Sequence, residues 1–203
     1  MELKELERGK EFELASYKWI VLEQNEEKGS TLVVAKECIE EMAFDEGGSN
    51  DFRNSSLRIY LNNDFLEELQ EEGLDKSSIL LTDFDLTNSN GENIYGLCRD
   101  KIGLLTQEQY KEHRDILTLD DWWWLITPHA SGSHNVRSVD SSGALGGNYA
   151  YLGSYGVRPA LNLDSGIAVT VDDETEINGL EMYSTEELLQ ELLKREKEKT
   201  DEN

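Results

Sequence analysis

Apolar positions fall in short, separated runs along this chain. Tyr17-Lys-Trp-Ile-Val-Leu22 and Thr31-Leu-Val-Val-Ala35 are short and β-branched, the pattern of strands, and the polar link QNEEKGS between them suits a hairpin turn. DEGGSNDFRN (45–54) reads as a loop. In 55–69, Leu57, Tyr60, Leu61, Phe65 and Leu69 recur every three or four positions, which predicts a helix with Asn54 or Ser55 as N-cap and Gly73 beyond its end. Ile79-Leu-Leu-Thr82 is a short strand pattern, and DLTNSNGENIYG (85–96) is turn-rich. Lys101–Thr106 predicts a strand leading into a helix capped by Thr106, with Gln107 to Gln109 in its first turn. Trp122–Thr127 predicts a buried strand stopped by Pro128, and Val157–Leu163 and Ile167–Val171 are the last apolar strand patterns. From Ser184, Leu188, Leu189, Leu192 and Leu193 form an apolar stripe, with acidic residues in the first turn and basic residues later, as a helix dipole favours.

These elements interrupt one another rather than alternate regularly, which gives an α+β class of short antiparallel strands with two main helices and a C-terminal helix. The domain reading is a charged N-terminal arm over 1–14, a domain over 15–172, and an acidic linker with an amphipathic helix over 173–203.

Composition narrows the function. The formal net charge is −24 and 37% of residues are hydrophobic. Such a charge repels phosphate backbones and anionic membranes, so no nucleic-acid partner and no membrane insertion are expected. No apolar run is long enough to span a bilayer. The first residues, MELKELERGKEFEL, lack the apolar core of a signal peptide, which points to a cytoplasmic site of synthesis. Cys38 and Cys98 are far apart and read as free thiols; His113, His129 and His134 have no metal-ligand spacing. No cofactor motif, phosphate loop or Ser-His-Asp ordering is present, so neither a cofactor nor catalysis is expected.

One window departs from the rest. Residues 129–156 contain no Lys, Glu, Gln, Met or Trp, although Glu is abundant elsewhere. Gly, Ser and Asn are ordinary turn residues, so a charge-poor loop alone explains part of this. Three blocks around the window carry a resemblance. They are W-x-V-L with L-V-V-A and N-S-S-L-R-x-Y-L-N-x-x-F; D-K-I-G-L-L-T-Q-E-Q-Y with W-W-W-L-I-T-P; and V-x-x-V-D-x-S-G with G-V-R-P-A-L-N-L. In that order, over roughly residues 15 to 170, the chain resembles the C-type-lectin-fold variable proteins of diversity-generating retroelements, found in phages, bacteria and archaeal viruses.

The resemblance implies a C-type-lectin-like fold and a ligand-binding surface diversified by adenine-directed mutagenesis. Template codons of the form AAY, substituted at their first two positions, reach every residue type except Lys, Glu, Gln, Met and Trp. The implied ligand contacts are Ser133, His134, Asn135, Arg137, Ser138, Asp140, Gly146, Gly147, Asn148, Tyr149, Tyr151 and Ser154. Tyr, Ser, Gly and Asn are the types favoured in antibody paratopes, and Arg137 and the tyrosines are the expected hot spots. The implied scaffold is Trp122, Trp123, Trp124, Leu125, Val136, Val139, Leu145, Val157, Arg158, Pro159 and Leu161. The three tryptophans are expected to alternate between core and a half-covered face, and Arg158 is expected to pair with a carboxylate.

The partner would be a protein or cell-surface ligand, with association with a virion and oligomerisation as further implications. Three rivals stand beside this reading: a fixed-partner binding or structural protein such as a phage tail component, a calcium-dependent sugar-binding lectin, and an enzyme. The lectin lacks Glu-Pro-Asn, Gln-Pro-Asp and Trp-Asn-Asp triplets, though Asp172-Asp-Glu174 could offer oxygens. The formylglycine-generating enzymes, which share the broad fold, need reactive cysteines late in the domain, whereas Cys38 and Cys98 lie early.

Overall fold

Six consecutive buried positions over Ser30–Ala35 call for a strand covered on both faces, and a computed structural model that describes residues 1–171 places it so. The strands are, in chain order, β1 (Glu11–Leu14), β2 (Tyr17–Asn25), β3 (Ser30–Ala35), β4 (Glu40–Glu41), β5 (Ile79–Leu80), β6 (Thr82–Asp85) and β7 (Leu97–Asp100). Then come β8 (Ile102–Gly103), β9 (Trp123–Pro128), β10 (Asn135–Val139), β11 (Leu145–Tyr149), β12 (Gly156–Val157) and β13 (Ala160–Asp164). The helices are α1 (Ser56–Asn62), α2 (Asp64–Glu71) and α3 (Gln107–His113).

The strands form an α+β arrangement of mostly antiparallel sheets. The main sheet runs β1-β2-β3-β13-β5, with β8 also on β13; a second runs β11-β10-β9-β12-β4; β6 and β7 make a separate hairpin. Ile20, Val34, Leu105, Tyr110, Trp123, Leu125 and Val139 meet in one buried cluster that ties the two larger sheets together. Among the described residues, no helix is long and apolar enough to cross a membrane.

Local chemistry explains the helix starts. Ser55 Oγ accepts from Arg58 N at 3.1 Å, capping α1. Thr106 and Gln109 form a reciprocal capping box at α3. The single helix expected over 55–69 is instead broken at Asn63, whose φ of −118° and ψ of −79° leave helical geometry. Its apolar stripe survives the break: Leu57, Leu61, Phe65 and Leu69 are all buried, and only Tyr60 is half-covered.

Three further expectations are corrected. Residues 1–14, whose charge suits a short helix or a frayed arm, form a 3₁₀ turn over Leu3–Glu5 and then β1 rather than fraying: Leu3, Leu6 and Phe12 are buried, and Leu3 N donates to Ile167 O at 2.9 Å, so three apolar anchors outweigh the charged residues between them. The strand expected over 157–163 is two strands in two sheets. Val157 belongs with β4 and β9, Ala160 onward with β3, and the chain changes sheet at Arg158-Pro159, where proline has no N–H to continue a ladder. Residues 167–171 form isolated bridges, Glu2 with Ala168 and Glu13 with Thr170, rather than a strand. The acidic run Asp172–Glu174 and the helix expected after Ser184 lie outside the described residues.

Candidate ligand-binding surface

The window 129–156 folds as a hairpin, β10 on β11, carried on β9 and flanked by two loops. Its turn is built by Asp140, whose carboxylate accepts from Ser142 N at 2.8 Å and Ala144 N at 2.9 Å. A bond from the Ser142 hydroxyl first, and then those from the backbone, hold the Asp140 carboxyl below its ordinary range. Asp140 shapes the turn through Oδ1, while its Oδ2 has no hydrogen-bond partner among the described residues. Gly143 completes that turn at φ +76°, a conformation favouring glycine, and its carbonyl accepts from the Tyr110 hydroxyl at 2.8 Å.

Strand alternation sorts the expected contacts onto two faces. Register pairs Asn135 with Tyr149, Arg137 with Gly147, and Val139 with Leu145, so these six share one face, from which Arg137 reaches Gln107 of α3. Val136, Ser138, Gly146 and Asn148 share the other face. There Ser138 is fully buried, and Asn148 Nδ2 donates to the Tyr155 hydroxyl at 2.9 Å. The contact role expected for Ser138 is corrected on this ground, because it lies beneath the surface. Gly146 and Asn148 line the same inward face.

Exposed residues gather at the open end of the hairpin. The Tyr149 and Tyr151 rings stack with centroids 5.4 Å apart and planes 12° from parallel, and they are 49% and 55% exposed. His134 is exposed beside them and its Nδ1 lies 2.9 Å from Gly48 O. Ser133 and Ser154 are exposed on the flanking loops. Gly147 forms the floor: a Cβ there would lie 2.5 Å from His129 Cδ2 and 3.2 Å from Val136 O. The space over Gly147 is thus already taken by the His129 ring.

The anchors beneath are firm. Trp123, Trp124, Leu125, Val136, Val157 and Leu161 are fully buried, and Val139 and Pro159 are buried with them. Leu145 is half-buried, packed against the core. Trp123 and Trp124 point to opposite faces of β9 and both are covered, because β9 lies mid-sheet with packing on either side. Trp122 lies outside the strand, 45% exposed, edge-on to Tyr155 at 5.8 Å.

Arg158 departs from expectation. It is fully buried, yet no carboxylate among the described residues pairs with it. Its Nε donates to Ala35 O at 2.7 Å and its Nη1 to Leu117 O at 3.0 Å. The guanidinium lies 5.0 Å from the Trp123 ring centroid. Burial lowers its pKa to about 10. Two backbone carbonyls plus an aromatic face replace the expected partner, so Arg158 clamps the residues around the sheet switch.

Sequence reasoning missed several supports. Asn50, fully buried, donates from Nδ2 to Gly132 O at 2.9 Å and Asn135 O at 2.8 Å, and its Oδ1 accepts from the Tyr95 hydroxyl at 2.8 Å. It pins the loop 132–135 from 82 or more positions away. Tyr155 stacks on Trp124 at 4.1 Å and is buried, unlike the other two tyrosines of the window. No local signal separates it from Tyr149 and Tyr151. Gln107, read only as a first-turn residue, accepts from Arg137 Nε through Oε1 at 2.6 Å.

Both cysteines are free, Cys98 buried and Cys38 half-buried. Burial pushes the Cys38 thiol up to about 12, away from nucleophilic reactivity at neutral pH. Among the described residues no group of three or more His, Cys, Asp or Glu is placed to hold a metal ion.

The fold and surface define an α+β domain with an exposed hairpin on a buried aromatic base. Residues 28–165 match the family described as "Domain of unknown function (DUF6273)", and the chain belongs to that family. No curated protein and no solved structure matches the chain.

Proposed function

We propose that this protein is a ligand-binding protein with a C-type-lectin-like fold, whose 129–156 surface is diversified by adenine-directed mutagenesis. The observation that carries it is a division of labour within one window. Residues such as His134, Tyr149, Tyr151 and Ser154 are exposed, while Val136, Val139, Ala150 and Tyr155 are buried. Such a surface tolerates exchange, because an exposed side chain contributes little to stability. Its stacked tyrosines offer rigid apolar area of the kind binding loops use.

A second reading, a fixed-partner binding protein using the same surface, is favoured by one sequence fact. The stretch free of Lys, Glu, Gln, Met and Trp runs from Leu125 to Asp173, well beyond the window. Over β9 and β13, burial excludes the same types without any retroelement. Deep sequencing of the gene's 3′ end from its source population separates the two. Substitutions concentrated at adenine-derived codons for exposed positions, beside a near-copy repeat and a reverse-transcriptase gene, support diversification. An invariant window without a template leaves the fixed partner.

A further inference from the structure

One concave region of the surface stands out by charge. A cleft of about 530 Å³ lies between α3, the 89–90 turn and the hairpin. From outside the window come Ser89, Asn90, Gln107 and Lys111; from within it come His129, Ser131 and Arg137 among others. The chain has 43 acidic residues among 203, yet among the described residues no carboxylate lines this cleft, whereas Arg137 and Lys111 do.

Arg137 is held for use. Its Nε is fixed on Gln107 Oε1 at 2.6 Å, and Gln107 is itself buried at the start of α3, its N donating to Thr127 Oγ1 at 2.9 Å. The Nη groups of Arg137 have no partner among the described residues. Glu108 is the nearby carboxylate, but it lies outside the cleft lining. It is 71% exposed and engaged with Lys111 at 3.5 Å and Gln107 Nε2 at 3.2 Å. Strand register places Gly147 on the same face as Arg137, and the His129 ring that covers Gly147 lines the cleft together with Arg137.

We infer that this cleft binds a carboxylate group of the ligand on Arg137, with Gln107 as positioning residue and Lys111 as a second cation. A guanidinium fork matches a carboxylate's two oxygens. One free fork, with Lys111 shared by Glu108, suits a single negative charge better than a phosphate dianion set against the field of a −24 chain. The inference deepens the reading above by naming the ligand chemistry. It also splits the site into a wall outside the window, Gln107 and Lys111, and a wall within it, Arg137.

The test is a titration of the full-length, ¹⁵N-labelled chain with benzoate, following the Arg137 Nε–H resonance by NMR. Benzamide serves as the neutral isostere and phenyl phosphate as the dianion. A saturable shift with benzoate, absent with benzamide and weakened by added salt, is expected. Arg137→Gln should weaken binding by about tenfold or more, Arg137→Lys less, and Lys111→Gln by about two- to fivefold, all with melting temperatures near that of the parent. No saturable shift, an equal response to benzamide, or tighter binding of phenyl phosphate overturns the inference. The gene-sequencing result is independent: an invariant window with a benzoate site leaves a fixed anion binder, and a diversifying window without one removes only the carboxylate assignment.

Discussion

Gly147→Ala is the substitution on which composition and geometry disagree most sharply. A glycine in an exposed hairpin of the window looks freely exchangeable. Its new Cβ, however, would meet His129 Cδ2 at 2.5 Å and Val136 O at 3.2 Å, against an ordinary carbon–carbon separation of about 3.5–4.0 Å. The His129 ring would have to swing away. Its Nδ1 accepts from Ser131 N at 3.0 Å, a bond contributing roughly 1 kcal/mol, and the backbone oxygen below cannot withdraw without bending β10. Overpacking of this kind costs about 1–3 kcal/mol, offset by about 0.4–1 kcal/mol because alanine restricts the unfolded chain. The expected net loss is roughly 1–2 kcal/mol, a fall in Tm of about 3–6 °C for a chain of this size. Thermal melts of Gly147→Ala, His129→Ala and the double variant form the assay. The double variant should recover most of the loss, since the ring is the main obstacle. A Gly147→Ala melt identical to the parent, or a double variant no better than the single one, would refute the steric argument and leave position 147 open to diversification.

Other consequences follow from the supports. Asn50→Ala removes two bonds to the loop carbonyls of Gly132 and Asn135; it should cost about 2 kcal/mol and speed amide exchange over 132–135, read by hydrogen-exchange mass spectrometry. Arg158→Met keeps volume while relieving a buried cation, so it should cost about 1–2 kcal/mol, whereas Arg158→Ala adds a cavity and should cost about 3–5 kcal/mol; equal losses in urea unfolding would show that filling the space is irrelevant. His113 is buried, its Nδ1 accepts from Arg8 Nε at 3.1 Å, and burial first and the Arg8 charge second lower its pKa from 6.5. The folded state therefore disfavours the protonated ring, and its contribution is complete above pH 6.5 and lost as pH falls through the depressed folded value. Below pH 6.5, where the unfolded chain begins to protonate, His113→Gln should show a smaller pH-dependent loss of Tm than the parent; matching slopes would count against this.

The sequence by itself determined the parts whose cause is local. Strands β2, β3 and β9 follow from β-branched or aromatic apolar runs, the stripe of α1 and α2 from its spacing, and the caps at Ser55 and Thr106 from side chains that reach backbone N–H groups three residues on. It also named the buried residues Trp123, Trp124, Val136 and Val157. The tertiary structure alone decided everything that depends on residues distant in sequence. It separated Tyr155 from Tyr149 and Tyr151, because only Tyr155 meets Trp124. It turned Ser138 inward, brought Asn50 beneath the loop, gave Arg158 two carbonyls and an indole instead of a carboxylate, and set Gln107 and Lys111 beside Arg137. Spacing along a chain fixes which side chains share a face; which neighbours that face meets, and what charge they carry, is set by the packing of strands and helices far apart in the sequence.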